Sequence, residues 1–106
     1  KIFLVRGNHE FQSQNEFMGS LGFHQACITA LGEQEGGKVY QSVHEVFSWL
    51  PLSALIEDSI LTLHGGLGDG SWGLSNLSDD IPRPLRNETD GPHFIAQVLW
   101  SDPTDS

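Results

Sequence analysis

Two short apolar runs in this chain each end on a polar side chain followed or preceded by glycine. Ile2-Phe3-Leu4-Val5 closes on Arg6-Gly7-Asn8-His9-Glu10, and Ile60–Leu63 closes on His64-Gly65-Gly66. A continuous apolar, partly β-branched run that stops at a tight turn reads as a buried strand. Each junction therefore places hydrogen-bonding or metal-ligating groups at the end of a rigid support, where ligands collect in sheets flanked by helices. Imidazole nitrogen together with amide or carboxylate oxygen suits a divalent metal such as Mn, Fe or Zn. Glycine beside such groups lets the backbone approach closely. Taken singly, each histidine also suits a hydrogen-bonded structural role, and each glycine an ordinary turn. The residues alone therefore support a metal site at strand ends and nothing narrower.

The rest of the chain predicts a mixture of helices and strands. Apolar positions Phe17, Leu21, Ala26 or Cys27, and Leu31 fall near helical spacing, but Gly19 and Gly22 each cost about 1 kcal/mol inside a helix, which predicts two short helices. Gly32 and Gly36-Gly37 predict a loop. Val39, Tyr40, Val43, Val46, Phe47 and Leu50 then repeat as an amphipathic helix that Pro51 ends. Residues 52–56 and Ile60–Leu63, separated by Glu57-Asp58-Ser59, predict a hairpin. Residues 68–91 are rich in Gly, Ser, Asn, Asp and Pro and read as a long surface loop with one helical turn, before a last apolar segment, Phe94–Trp100.

Composition excludes several function classes. Five Lys and Arg stand against fourteen Asp and Glu, a net charge of −9. Non-specific nucleic-acid binding needs cationic side chains to displace phosphate counterions, so no nucleic-acid partner is expected. The longest apolar runs fall far short of the roughly 20 residues that span a membrane, and no membrane role is expected. Solitary Cys27 rules out an intramolecular disulfide framework and favours a reducing compartment, cytoplasmic and/or nuclear. The chain opens at Lys1 inside an apolar run and stops in a polar turn. Residues 1–106 are accordingly expected to be an internal segment of a larger domain, incomplete at both ends.

Four strings occur in order at matching intervals: Leu4-Val5-Arg6-Gly7-Asn8-His9-Glu10, the stretch from Val46 through Leu50-Pro51-Leu52 to Ile56, His64-Gly65-Gly66-Leu67, and Leu99-Trp100-Ser101-Asp102-Pro103. Together they closely resemble the phosphoprotein phosphatase family of serine/threonine phosphatases, within the metallophosphoesterase superfamily. Leu31-Gly32-Glu33 and Asp102-Pro103-Thr104-Asp105 resemble its Kelch-repeat members. The resemblance implies a β-sandwich flanked by helices, an α/β (α+β) fold. It implies hydrolysis of phosphoserine and phosphothreonine esters in protein substrates by a two-metal mechanism, with Mn, Fe or Zn, and regulatory subunits or appended domains as further partners.

Residue by residue, the resemblance makes Asn8 and His64 ligands of one catalytic metal. His9 becomes the acid that protonates the leaving serine or threonine oxygen, a suitable task for a side chain that ordinarily titrates near neutral pH. Glu10 and Arg6 support the loop, and Asp102 lies near the cleft. The family's Gly-Asp-x-His-Gly and Gly-Asp-x-Val-Asp-Arg-Gly motifs, which carry most remaining ligands, are absent from these 106 residues. The segment alone is therefore expected to be inactive. Gly68-Asp69-Gly70 departs from the Ser-Pro that usually follows His-Gly-Gly-Leu. Two other readings are another dinuclear phosphoesterase and a non-catalytic phosphatase-like interaction module. Trp49 and Trp100 are expected in the core and Trp72 as a candidate contact residue. His24, His44 and His93 are expected at the surface or in the core without a ligand role, and Cys27 as a buried small hydrophobe.

Overall fold

The computed structural model describes residues 1–103; Thr104 and Asp105, invoked in the Kelch resemblance, lie outside the described residues. The two-helix expectation for the first third is met. Helix α1 (Gln12–Phe17) is followed by a 3-10 turn (Gly19–Leu21) and α2 (Phe23–Leu31), with the break at the glycines. Helix α3 (Glu33–Ser48) then runs straight through Gly36-Gly37, where a loop was expected. Tertiary packing overrides propensity here. A Cβ on Gly36 would lie 2.5 Å from the Cys27 carbonyl oxygen and 2.7 Å from its carbon, so glycine is what lets α2 and α3 pack backbone to backbone. Cys27 is buried at this contact, as expected.

This contact separates two neighbouring substitutions. Gly36→Ala would gain about 1 kcal/mol of helix propensity but force backbone apart, for a net loss of about 1–3 kcal/mol. Gly37 has open space around the same position, so Gly37→Ala is expected to stabilise by about 0.5–1 kcal/mol. Urea unfolding of the two variants should move their midpoints in opposite directions.

Helix α3 ends at Ser48, three residues before Pro51. Its terminal carbonyls are taken up by the long loop: the Leu85 N–H donates to the Ser48 carbonyl at 2.7 Å, and Arg83 Nε donates to the Trp49 carbonyl at 3.1 Å. The cation at this end also complements the helix dipole. The expected hairpin is present as β1 (Ser53–Ile56) and β2 (Ile60–Leu63), antiparallel, with Ser53 opposite Leu63 and Ile56 opposite Ile60. Its turn closes with the Ser59 N–H on the Ile56 carbonyl at 3.0 Å. Glu57 and Asp58 both take positive φ, as a type I′ turn demands.

Residues 2–5 are not a buried strand. They run extended with no ladder partner among the described residues, and Ile2 and Phe3 are 87% and 76% exposed. A strand exists only by pairing, and the one backbone bond here is the Arg6 N–H to the Pro51 carbonyl at 2.8 Å. The described residues therefore hold one two-stranded sheet, and the implied sandwich is represented by that hairpin.

The core forms around α5 (Phe94–Trp100), which buries Phe94, Ile95, Val98 and Leu99 against Phe11, Leu52 and Leu85. The segment 68–91 is less of a surface loop than its composition suggested. It carries α4 (Leu74–Asp79) and a 3-10 turn (Glu88–Asp90), and it sends Trp72, Leu77, Ile81 and Leu85 into this core. Trp72 stacks on Phe94 with ring centroids 5.8 Å apart, so it is a packing residue rather than a contact residue. Trp49 and Trp100 correct the opposite way, at 49% and 44% exposure. Each keeps its indole N–H on a surface carboxylate, Glu45 and Glu88 respectively, which a core position would forbid. No helix among the described residues is long and apolar enough to cross a membrane.

Candidate metal centre at two loop ends

Arg6 fixes the first loop from behind. Its side chain is 1% exposed and lies over the Phe11 ring, 3.7 Å from the centroid. Its Nε donates to the Glu10 carbonyl at 2.9 Å and Nη1 to the Leu85 carbonyl at 2.6 Å. Burial pushes its pKa down to about 10, against the opposing pull of Glu10, so it stays charged at neutral pH. One guanidinium thus ties the loop to the core, a task for which a lysine's single ammonium lacks the fork.

Glu10 closes the loop from within. Its Oε2 accepts the Gly7 N–H at 2.8 Å, while its own N–H donates to the Gly7 carbonyl at 3.3 Å. A Cβ on Gly7 would lie 2.5 Å from Glu10 Oε2 and 3.1 Å from His64 Nδ1. Only glycine admits the His64 ring so close to this turn.

His64 itself stands at the end of β2. The Gly65 N–H donates to the Val98 carbonyl at 2.8 Å, which locks this second loop to the end of α5. Between the two loops, Asn8 Oδ1 and His64 Nε2 lie 3.1 Å apart on the surface. The residues are 56 positions apart in the chain, so the fold, and not local geometry, brings them together. His9 is exposed beside them, its ring 6.4 Å from that of Trp100, centroid to centroid.

Asp102 is placed differently. It is exposed in a shallow cleft of about 520 Å³ with Leu67, Asp69 and Ser101. No hydrogen bond joins it to Asn8, His9 or His64 among the described residues. Asp69 in the same cleft has its carboxyl held below the usual range, chiefly by hydrogen bonds from Ser71.

A family model for calcineurin-like phosphoesterases matches residues 1–106. The chain belongs to the calcineurin-like phosphoesterase family. It is 37% identical over 105 residues to the serine/threonine-protein phosphatase BSL2 of Arabidopsis thaliana, covering 99% of this chain and 10% of that protein. It superposes with a TM-score of 0.76 and 32% identity on a protein serine/threonine phosphatase from Saccharomyces cerevisiae similar to human PP5. That match covers 98% of this chain and 30% of the yeast chain. The mixed helix-and-strand architecture is thus a fragment of the metallophosphoesterase fold.

Membership in this phosphoesterase family implies divalent metal ions. Two donors on one ion with bonds of about 2.1 Å lie roughly 3.0–3.4 Å apart, from right-angle to tetrahedral geometry. The 3.1 Å between Asn8 Oδ1 and His64 Nε2 falls in that range. An amide oxygen and an imidazole nitrogen both suit a borderline cation. They fit as two ligands and no more: among the described residues, no three His, Cys, Asp or Glu side chains converge as a metal-binding group.

Asn15, and the contact it makes with His44, escaped the sequence reading. Asn15, 5% exposed on α1, donates from Nδ2 to the His9 carbonyl at 3.1 Å. His44, 7% exposed on α3, lies with Nε2 2.9 Å from the same Asn15 nitrogen. His44 fits the core placement expected of it, but its partner is on another helix. Asn15 carried a usable signal: an amide on the inward face of a short helix, six residues after His9.

Proposed function

We propose that residues 1–106 are an interior segment of the catalytic domain of a protein serine/threonine phosphatase, which hydrolyses phosphoserine and phosphothreonine esters in its full-length form. The observation that carries this is the meeting of Asn8 Oδ1 and His64 Nε2 at 3.1 Å, with His9 exposed at the same edge. Asn8 and His64 would hold one of two ions, of Mn, Fe or Zn, whose remaining ligands lie outside these residues. Such ions, when bound, supply an acidic bound water and charge neutralisation for in-line displacement at phosphorus.

The chain's own residues do the remaining work. His9 holds a proton at the solvent edge and gives it to the departing serine or threonine oxygen, a poor leaving group without protonation. Arg6 and Glu10 keep the Gly7-Asn8-His9 turn in place through the backbone bonds described above. Asp102 borders an adjoining cleft as a supporting residue. Phosphoproteins are the substrates, and regulatory subunits or appended domains the further partners. The net charge of −9 argues against nucleic-acid substrates, and a reduced solitary Cys27 fits the cytoplasm and/or nucleus.

The full-length protein with Mn²⁺ is expected to release phosphate from a phosphoserine peptide and to stop when the metal is chelated. Cleavage of a nucleotide or nucleic-acid ester without phosphopeptide turnover would assign it to another dinuclear phosphoesterase. No turnover of either would make it an interaction module.

A further inference from the structure

A buried polar relay lies behind the proton donor and reaches it only through the backbone. Asn15 makes three contacts: Nδ2 donates to the His9 carbonyl at 3.1 Å, Nδ2 faces His44 Nε2 at 2.9 Å, and Oδ1 accepts the Phe23 N–H at 3.4 Å. These contacts fix which way the amide points. Flipping it would set Nδ2 against a second donor, the Phe23 N–H, and Oδ1 against a second acceptor, the His9 carbonyl. With the amide so oriented, its two N–H groups serve His9 and His44, and His44 Nε2 must act as an acceptor. His44 is thereby held as the neutral ring carrying its proton on Nδ1.

We propose that Asn15 is a positioning residue that holds the His9 turn for proton donation, and that neutral His44 is the acceptor that keeps Asn15 in that orientation. This rests on the role given to His9 above. Protonated His44 would present Nε2–H to an N–H group. The pair then breaks, or Asn15 turns over and withdraws its donor from the His9 carbonyl. Either event removes the anchor on the His9 carbonyl, while the Arg6 and Glu10 anchors on the Gly7-Asn8 side of the turn remain.

The surroundings favour the neutral ring. Burial lowers the His44 pKa from the ordinary 6.5, and Arg6 lowers it further, while Glu10 and Glu16 oppose. Tyr40 meets the ring edge-on at 4.6 Å on its own helix, and His24 of α2 lies 4.4 Å from the Tyr40 ring. Phe23 and Phe47 face the ring at 6.3 and 5.2 Å. Glu45 and Arg86 pair at 2.9 Å across the polar cavity that His44 also lines. The tyrosine stays un-ionised, since burial, then Glu16 and Cys27, push its pKa up to about 12. Because the folded pKa of His44 lies below its unfolded value, the arrangement is stable above pH 6.5 and weakens as pH falls below it.

Four full-length variants test this by phosphopeptide kinetics across pH. Asn15→Asp keeps the shape but loses the donor to the His9 carbonyl; kcat is expected to fall about 10–100-fold with KM within twofold, by analogy with other residues that orient a reacting group. His44→Gln offers a non-titrating acceptor to Asn15. It should keep kcat at pH 7 and lose the acid-side inflection below pH 6.5, whereas His44→Leu should lower kcat at every pH. Asn15→Asp at wild-type kcat would overturn the proposal. Should that variant not fold, a His44→Gln profile superimposable on wild type would overturn it equally. His9→Ala, run alongside, separates the two ideas. Full turnover in that variant refutes the role of His9 itself, while a loss there with none in Asn15→Asp refutes only the positioning.

Discussion

Replacing His9 by alanine in the full-length protein is expected to lower kcat on a phosphoserine peptide by roughly 10²–10⁴-fold, the usual contribution of a positioned general acid. The His9 side chain is exposed and forms no hydrogen bond among the described residues, whereas its backbone carbonyl is held by Asn15. The turn around it is held separately by Arg6 and Glu10. Truncation therefore removes a proton donor and leaves the loop intact, and stability should change by less than about 0.5 kcal/mol. The deficit should shrink on p-nitrophenyl phosphate, whose phenolate departs without being protonated. An equal loss on both substrates would contradict the proton-donor role, and undiminished turnover of the peptide would remove it altogether.

Different parts of this molecule were legible in the sequence for different physical reasons. The hairpin was readable because two short apolar runs flank a three-residue turn, and such pairing is local. The broken first helix was readable because glycine propensity acts locally too. Gly36-Gly37 misled because the same propensity argument fails where a neighbouring helix needs the missing side chain. Residues 2–5 misled in another way. Their composition suits a strand, but a strand is a relation between two segments, and none lies beside this one among the described residues.

At the site, Gly7, Asn8, His9, Glu10 and His64 were visible through literal strings that resemble a family. Their approach was not derivable from spacing, because 56 residues separate Asn8 from His64. The pairing of Asn15 with His44 was invisible for a related reason. They form a pair between α1 and α3, at 2.9 Å, and no periodicity within either helix announces it. Trp100 shows the limit of hydropathy alone, since an aromatic at the end of an apolar segment turned out half exposed beside His9.

The central claim is that the ends of two distant segments form half of a metal site, and it has a second large consequence. Asn8→Ala and His64→Ala each delete one ligand while sparing the loop anchors. The Gly7 N–H still meets Glu10, and the Gly65 N–H still meets the Val98 carbonyl. Loss of a ligating residue should exceed the roughly 10–100-fold effect of losing a group that merely orients a ligand. Phosphopeptide turnover is therefore expected to fall by more than about 10²-fold in both variants, with the fold retained by circular dichroism. The most direct measurement is elemental analysis of the full-length protein after exhaustive dialysis against metal-free buffer. Wild type is expected to retain two metal equivalents per chain, and Asn8→Ala and His64→Ala one fewer each. Two equivalents retained in both variants, with wild-type turnover, would contradict the account.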